Sequence, residues 1–343
     1  MKSLRRLLTG FCGLAIFIFL LAGCGRGRSK ILEINYVSAP QVNLRDRLAA
    51  VYNKVGVVKN GERVEVLEHQ RRFVRVRSAS GAEGWVEQRY LVGQQVFEGF
   101  QKLAKNSQNA PIQAQGTTRN DSNLHVEPGR DTEHLYQLPA SEKVAVLQRA
   151  TAEKQPSGTP VKAKSAAQAH GSSPDETPKP VFEDWWLVRD SQAHVGWVLA
   201  RMVDLDVPLE IAQYAEGQRF VAFFALDQVQ DGDKKVPQYL TVITEPKDGL
   251  PFDYDQVRVF TWNVRRHRYE TAYREHNLEG FLPVTVGREP FNKEGDLPTF
   301  TLRVKNAAGN LVDRKYKLNT PIVRRVLAPG EQKEAPVPRR RKK

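Results

Sequence analysis

The chain has 343 residues, enough for two or three domains of ordinary size, and a formal net charge of +13. It has two cysteines, and its seven histidines show no spacing typical of a helical zinc site, so the sequence predicts no metal and no cofactor. A Gly-x-Ser-x-Gly elbow and a phosphate-binding loop are both absent from the sequence, which argues against common hydrolase and nucleotide-binding classes.

Residues 1–23 have the layout of a secretory signal peptide. Three cations, Lys2, Arg5 and Arg6, precede an apolar run that ends in small residues. The letters "LAGC", which end at Cys24, look like the lipobox of bacterial lipoproteins. This resemblance implies cleavage before Cys24, lipidation of its sulfur and a membrane anchor; an uncleaved signal anchor is the alternative. A lipidated Cys24 leaves the mature chain without a thiolate, and export predicts no nucleic-acid partner.

Gly25 and Arg26 follow the cysteine, with no aspartate beside it. For a lipoprotein, the resemblance then implies a place in the cell envelope. The anchor is expected in the outer membrane if the organism has two membranes, and on the outer face of the plasma membrane if it has one.

Two parts of the chain repeat the same order of short β-like segments. Residues 72–91 align without a gap on residues 184–203, with six of twenty positions identical. Upstream, "GERVEVL" from Gly61 matches "SEKVAVL" from Ser141. Valines alternate with polar residues in both copies, which is the two-residue period of half-buried strands.

The segments "VNLR", "NGERVEVL", "FVRVR" and "GWVEQRYL" resemble the bacterial SH3 family, and the likeness covers residues 36–92 and 120–204. It implies two small SH3-like barrels that bind peptidoglycan or its stem peptides. The second copy departs from the pattern at His125, where the first has Arg45. The candidate ligand-binding residues are arginines and aromatic residues of these segments: Arg45, Arg75, Trp85 and Tyr90 in the first copy, and Trp185, Trp186 and Trp197 in the second.

A helix and a linker are predicted between the copies, at residues 93–119. "QQVFEGFQKLAKN" places its apolar residues on one helical face, and a polar run follows it. A disordered insertion is predicted at residues 148–183 of the second copy, because the segment is rich in Ser, Ala, Pro, Gly and Lys. It is either a flexible spacer or a partner-binding segment.

Residues 208–326 show seven or eight β-like runs separated by turn signals, which predicts an antiparallel sandwich or barrel. Asp253 and Asp255 lie on one side of an extended segment, so they are an acid and base pair, a cation site or a solvated pair that closes a turn. Exposed aromatics of "FTWNVRRHRYETAYRE" can stack on sugar rings. Residues 327–343 form a basic tail that is either solvated and disordered or bound to anionic lipid or wall polymers.

The predicted fold class is therefore all-β: two small SH3-like barrels joined by a helix and linker, plus a C-terminal antiparallel β-sandwich or barrel. The predicted function is that of a non-catalytic envelope lipoprotein that binds peptidoglycan or its stem peptides through paired modules, since linked weak sites gain avidity. The membrane, through the lipid, and a cell-wall polymer or peptide are the expected partners. Two alternatives stay open: a scaffold for envelope proteins, and a hydrolase with its site in the C-terminal domain.

Overall fold

The computed structural model of the protein describes residues 30–154 and 180–327. Cys24, residues 1–23, most of the predicted insertion and nearly all of the basic tail lie outside the described residues. The chain separates into two compact units, one that ends at Gln94 and one that begins at Gln95. In the described residues, no helix is long and apolar enough to cross a membrane. Strands dominate both units, so the predicted all-β class is confirmed.

The first unit contains one antiparallel sheet of seven strands. Its core consists of valines and leucines that alternate with outward residues, such as Val64 and Val66 on one strand and Val74 and Val76 on the next, all four fully buried. The strands follow the order β3-β2-β6-β5-β4-β1-β7. They are β1 Glu33–Val37, β2 Gln41–Arg45, β3 Lys54–Lys59, β4 Arg63–Gln70, β5 Phe73–Arg77, β6 Glu83–Glu87 and β7 Leu91–Gly93, with a 3-10 helix at Gln88–Tyr90.

The second unit begins with a helix and a sheet that repeats this topology. Helix α1 spans Gln94–Asn106 and buries Phe100. The sheet order β10-β9-β13-β12-β11-β8-β14 is that of the first sheet with every number raised by seven. Its strands are β8 Ala114–Thr118, β9 Ser122–His125, β10 His134–Leu138, β11 Lys143–Glu153, β12 Phe182–Arg189, β13 Val195–Leu199 and β14 Val203–Leu205, with a 3-10 helix at Ala200–Met202. The sequence repeat is thus also a repeat of strand order.

Two sequence predictions for this region are wrong in part. The segment predicted as a linker contains strand β8, which pairs with β11 and β14 although its sequence is polar. Gly116 allows this pairing, because a Cβ there would lie 2.7 Å from a methyl carbon of Val203. The predicted insertion at residues 148–183 is strand at both ends, where Ala150 pairs with Trp185 and Glu153 with Phe182. The small residues Ala150 and Ala152 on β11 gave no hydrophobic signal, yet they pack against the cluster that contains Trp185 of β12.

The C-terminal part of the second unit consists of two four-stranded antiparallel sheets in sequential order. Tyr273 and Tyr316, from different sheets, both donate to the carboxylate of Glu275, at 2.6 and 2.8 Å. Gly280 allows Tyr254 to pack against the backbone, since a Cβ would lie 2.1 Å from its ring. The strands are β15 Arg219–Asp231, β16 Lys234–Thr244, β17 Gln256–Asn263, β18 Arg268–Glu275, β19 Gly280–Phe291, β20 Gly295–Lys305, β21 Leu311–Asn319 and β22 Ile322–Val326.

A short segment covers the outer face of β16 and β17. It contains helix α2, Leu209–Ala212, and a 3-10 helix at Gln213–Ala215. Ile211 is fully buried with Phe260, and the buried Arg258 donates to the backbone oxygen of Tyr214 at 2.8 Å. Both faces of these central strands are therefore shielded from water.

Polar contacts join the second seven-stranded sheet to the C-terminal sheets. The side chain of Gln113, fully buried, accepts from the backbone N–H of Val284 at 2.8 Å and donates to its oxygen at 3.2 Å. Arg149 donates to Asp184 at 2.6 Å and to Asp253 at 3.1 Å, and Asp184 also accepts from Arg219 at 2.5 Å. Because the side chain of Asp184 is fully buried, this ion network is an internal contact that links the sheets, and not a surface contact.

Candidate functional site

Three predicted ligand-binding residues of the first unit lie side by side. Trp85 on β6 is directly opposite Arg45 on β2 and Arg75 on β5. Residues directly opposite each other in antiparallel strands present their side chains to the same face of the sheet. Trp85 is half-buried, and the arginine side chains are 26% and 42% exposed. We call these three residues the tryptophan row.

Aromatic rings and carboxylates surround the row. The guanidinium of Arg45 lies 4.4 Å from the ring centre of Tyr52 and 5.3 Å from that of Phe73. Glu87 lies 3.6 Å from Arg45, and Glu83 accepts a hydrogen bond of 2.9 Å from Arg75. Stacking and an ion pair hold the guanidinium of Arg45 in place, and an ion pair holds that of Arg75. Both keep N–H donors for a ligand. Such a surface can stack on a sugar ring or apolar side chain while its arginines bind a carboxylate.

Tyr90 has a different environment. It ends the 3-10 helix Gln88–Tyr90, and its hydroxyl accepts a hydrogen bond of 2.8 Å from Arg89. Its polar partner is therefore a chain neighbour and not a member of the tryptophan row.

Sequence reasoning missed Tyr52 and Phe73. The position of Phe73 at the start of the "FVRVR" segment was a usable signal, whereas nothing in the pattern around Tyr52 pointed to Arg45.

The second sheet carries a buried counterpart of the row. Trp185, Trp186 and Trp197 are 2%, 4% and 8% exposed, so none of them presents an open ring face, and their predicted role in ligand binding stays a prediction. Trp197 is opposite His125 and Leu187, at the positions of Arg45 and Arg75. Trp185 and Trp197 are buried in a hydrophobic cluster, against which apolar residues of α1 and its following loop pack: Leu103, Ala104 and Ala110.

His125 does not replace Arg45 chemically. Its Nδ1 lies 3.1 Å from the backbone oxygen of Thr132. Burial lowers the pKa of His125, so the ring is neutral at pH 7. Trp185, beside it, lines a cleft of about 270 Å³ together with Arg130 and Met202. The second sheet thus presents a shallow, weakly charged cleft where the first sheet presents two arginines.

In the C-terminal part, Asp253 and Asp255 have different environments, which does not support their interpretation as an acid and base pair. Asp253 accepts from Arg149 and from the backbone N–H of Leu282, at 3.1 and 2.8 Å. One oxygen of Asp255 is buried without a hydrogen-bond partner. Within residues 30–154 and 180–327, no group of three His, Cys, Asp or Glu side chains can hold a metal ion. Of the aromatic candidates in this part, Phe260 and Tyr269 are buried in the core.

Asp255→Asn should stabilise the protein more at pH 7 than at pH 3. Burial, followed by the nearby Glu245 carboxylate, raises the pKa of Asp255. A carboxyl whose pKa is raised by folding makes folding less favourable as the pH rises through its ordinary value near 4. Asparagine removes that penalty and keeps the shape. Urea unfolding at both pH values measures the difference, and Asp233→Asn, at an exposed turn, is the control. An equal effect of Asp255→Asn at both pH values would contradict the assignment.

Comparison with known proteins identifies one domain. Residues 40–92, within the first unit, match the family described as bacterial SH3 domain. These residues, which carry the tryptophan row, are therefore a bacterial SH3 domain. No curated protein matches the chain.

Solved structures similar to the chain include three proteins with low TM-scores. The first is an NlpC/P60 family protein from Bacillus cereus, at 10% identity and a TM-score of 0.23; the similarity covers 57% of this chain and 65% of that one. NlpC2 from Trichomonas vaginalis has 10% identity and a TM-score of 0.17, with 88% and 97% covered. NlpC1 from the same organism has 9% identity and a TM-score of 0.17, with 72% and 89% covered. This chain therefore spans less than two thirds of the length of the Bacillus cereus protein.

Proposed function

We propose that the protein is a non-catalytic lipoprotein of the cell envelope that binds peptidoglycan or its stem peptides through the bacterial SH3 domain of its first unit. The observation that carries the proposal is the tryptophan row, in which Arg45, Trp85 and Arg75 present one aromatic and two cationic groups on three adjacent strands. Stem peptides offer carboxylates to the guanidiniums, and glycan rings offer faces to the aromatics.

The proposal includes one ligand site of this kind in each chain. The corresponding positions of the second sheet are His125, Trp197 and Leu187. Trp197 and Leu187 are buried in the apolar cluster beside α1, and His125 does not replace the charge of Arg45. Avidity then comes from many chains anchored in one membrane, and not from paired modules within one chain. The anchor in this proposal is the lipid on Cys24, which places the protein in the cell envelope, and in the outer membrane if there are two membranes.

Co-sedimentation with purified peptidoglycan tests the proposal, with the unlipidated chain from residue 25 onward. Pelleting should persist at moderate salt, and Arg45→Gln should weaken it about tenfold, the effect of losing charge-assisted hydrogen bonds. The control is Arg63→Gln, which removes the same charge from the same sheet at a side chain that is 49% exposed and outside the row.

Each other result would favour a different function. Pelleting that is lost at moderate salt, or equally in both variants, would indicate charge attraction alone and favour the scaffold for envelope proteins. Release of soluble wall fragments by the unaltered chain would indicate a hydrolase, with the C-terminal domain as the first place to look.

A further inference from the structure

A second cleft lies in the second unit, between the second seven-stranded sheet and the start of β15. It has a volume of about 330 Å³, within the range of small-ligand sites, roughly 300–1,000 Å³. The bacterial SH3 domain contributes nothing to it, so it is separate from the tryptophan row and does not rest on the proposed function. One wall is apolar and consists of Trp186, Val203, Leu205, Val207 and Phe220.

Three arginines and two aspartates form the polar part of the lining. Arg119 donates to Asp204 through Nε and Nη2, at 2.9 and 2.5 Å, and Arg219 donates to Asp248 at 2.7 Å. These two guanidiniums are therefore largely neutralised by carboxylates at the rim. An anionic ligand must therefore pair with another cationic side chain of the cleft.

Arg201 is that partner, because its charge is compensated least. Its hydrogen bond to Glu183 is long, at 3.3 Å, whereas Arg130 binds the same carboxylate at 2.6 and 2.7 Å. The side chain of Arg201 is 58% exposed, and Arg130 lines the other cleft. Most of the N–H donors of Arg201 are thus available to an anion.

Trp186 provides a second, independent donor. Trp186 is only 4% exposed, and no described residue accepts a hydrogen bond from its indole N–H. The indole nitrogen is not among the side-chain atoms buried without a hydrogen-bond partner, so it keeps access to solvent and can donate to an acceptor supplied by a ligand.

We propose that this cleft binds the C-terminal end of a short peptide. The terminal carboxylate lies at Arg201 and the indole N–H of Trp186, and an aliphatic side chain lies on the apolar wall beside Phe220. The carboxylates of Asp204 and Asp248 are acceptors for the peptide's own N–H groups. A plain inorganic anion would leave the apolar wall in contact with water, which is why a carboxylate attached to an apolar body fits better.

The test uses N-acetyl-Ala-Leu with a free carboxylate and the same dipeptide as its C-terminal amide. With tryptophan labelled with ¹⁵N at the indole, the unlipidated chain gives five indole N–H signals, one for each tryptophan of the sequence. The signal that Trp186→Phe removes should shift on titration with the acid and stay in place with the amide. Arg201→Gln should weaken binding of the acid about tenfold, as judged by the same shift and by calorimetry.

Arg130→Gln is the matched control, since it also removes a partner of Glu183 but does not line this cleft. Equal weakening by both variants would assign the effect to Glu183 and overturn the proposal. Equal shifts with acid and amide would overturn carboxylate recognition, and no shift at millimolar peptide would overturn the site. A shift of the Trp85 signal alone would move the peptide to the tryptophan row. That outcome leaves the proposed function standing, whereas failure of the wall-binding test leaves this cleft untouched.

Discussion

Asp184→Ala should lower the free energy of unfolding of the second unit by about 3–5 kcal/mol, the usual effect of removing one partner of a buried ion pair. Asp184 accepts hydrogen bonds from Arg149, Arg219 and the backbone N–H of Gly249. The Arg149 side chain is only 3% exposed, so it would keep its charge with Asp253 as its remaining carboxylate partner. Few single surface changes come near this loss.

Urea unfolding of the unaltered chain and the variant measures the effect. The control is Asp248→Ala, because Asp248 pairs with the same Arg219 but has a side chain that is 44% exposed. An exposed pair contributes little, so this change should cost under about 1 kcal/mol. Similar losses in the two variants would show that the ion network at Asp184 is not the main electrostatic contact of the second unit.

Trp85→Ala and Trp197→Ala, at equivalent positions of the two sheets, should have opposite consequences. Trp197 is 8% exposed within an apolar cluster, and its removal should destabilise the second unit by about 3–5 kcal/mol. Trp85 is half-buried at the surface, between two arginines. Its removal should weaken peptidoglycan binding about tenfold or more, as expected for a tryptophan that dominates an interface, with a smaller loss of stability.

Thermal unfolding and wall pelleting of both variants distinguish the two roles. Phe at each position is the second variant, since it keeps much of the packing and loses the indole. If Trp197→Ala left the melting temperature unchanged and abolished pelleting, the ligand site would belong to the second sheet. If Trp85→Ala pelleted normally at moderate salt, the tryptophan row would not be the site.

Much of the strand architecture follows from local patterns. The alternating valines of "RVEVL" and "FVRVR" predict half-buried strands, and Val64, Val66, Val74 and Val76 are indeed fully buried. The glycines before Trp85 and Trp197 have their cause in the packing of a neighbouring strand. A Cβ on Gly84 would lie 2.7 Å from that of Leu44, so only glycine allows the close approach.

The burial of the second site could not be predicted in this way. Trp85 and Trp197 occupy the same place in the repeat, and they differ because Leu103 and Ala104 of α1 pack on one of them. That packing depends on where a helix outside the repeat docks, which no period within the repeat encodes. The pairing of Ala150 with Trp185 was missed for a related reason, since alanine carries almost no strand signal and gains its role from the partner strand.

The pairing of β11 with β12 continues to Glu153 and Phe182, and the backbone N–H of Lys154 donates to the oxygen of Val181 at 2.7 Å. Backbone bonds therefore hold Lys154 and Val181 next to each other. The free energy of closing a chain between two joined points grows only as the logarithm of its length, so an insertion between Lys154 and Val181 is expected to cost little stability. An epitope tag or a fluorescent reporter inserted there would report on the protein in living cells without altering either the bacterial SH3 domain or the ion network at Asp184.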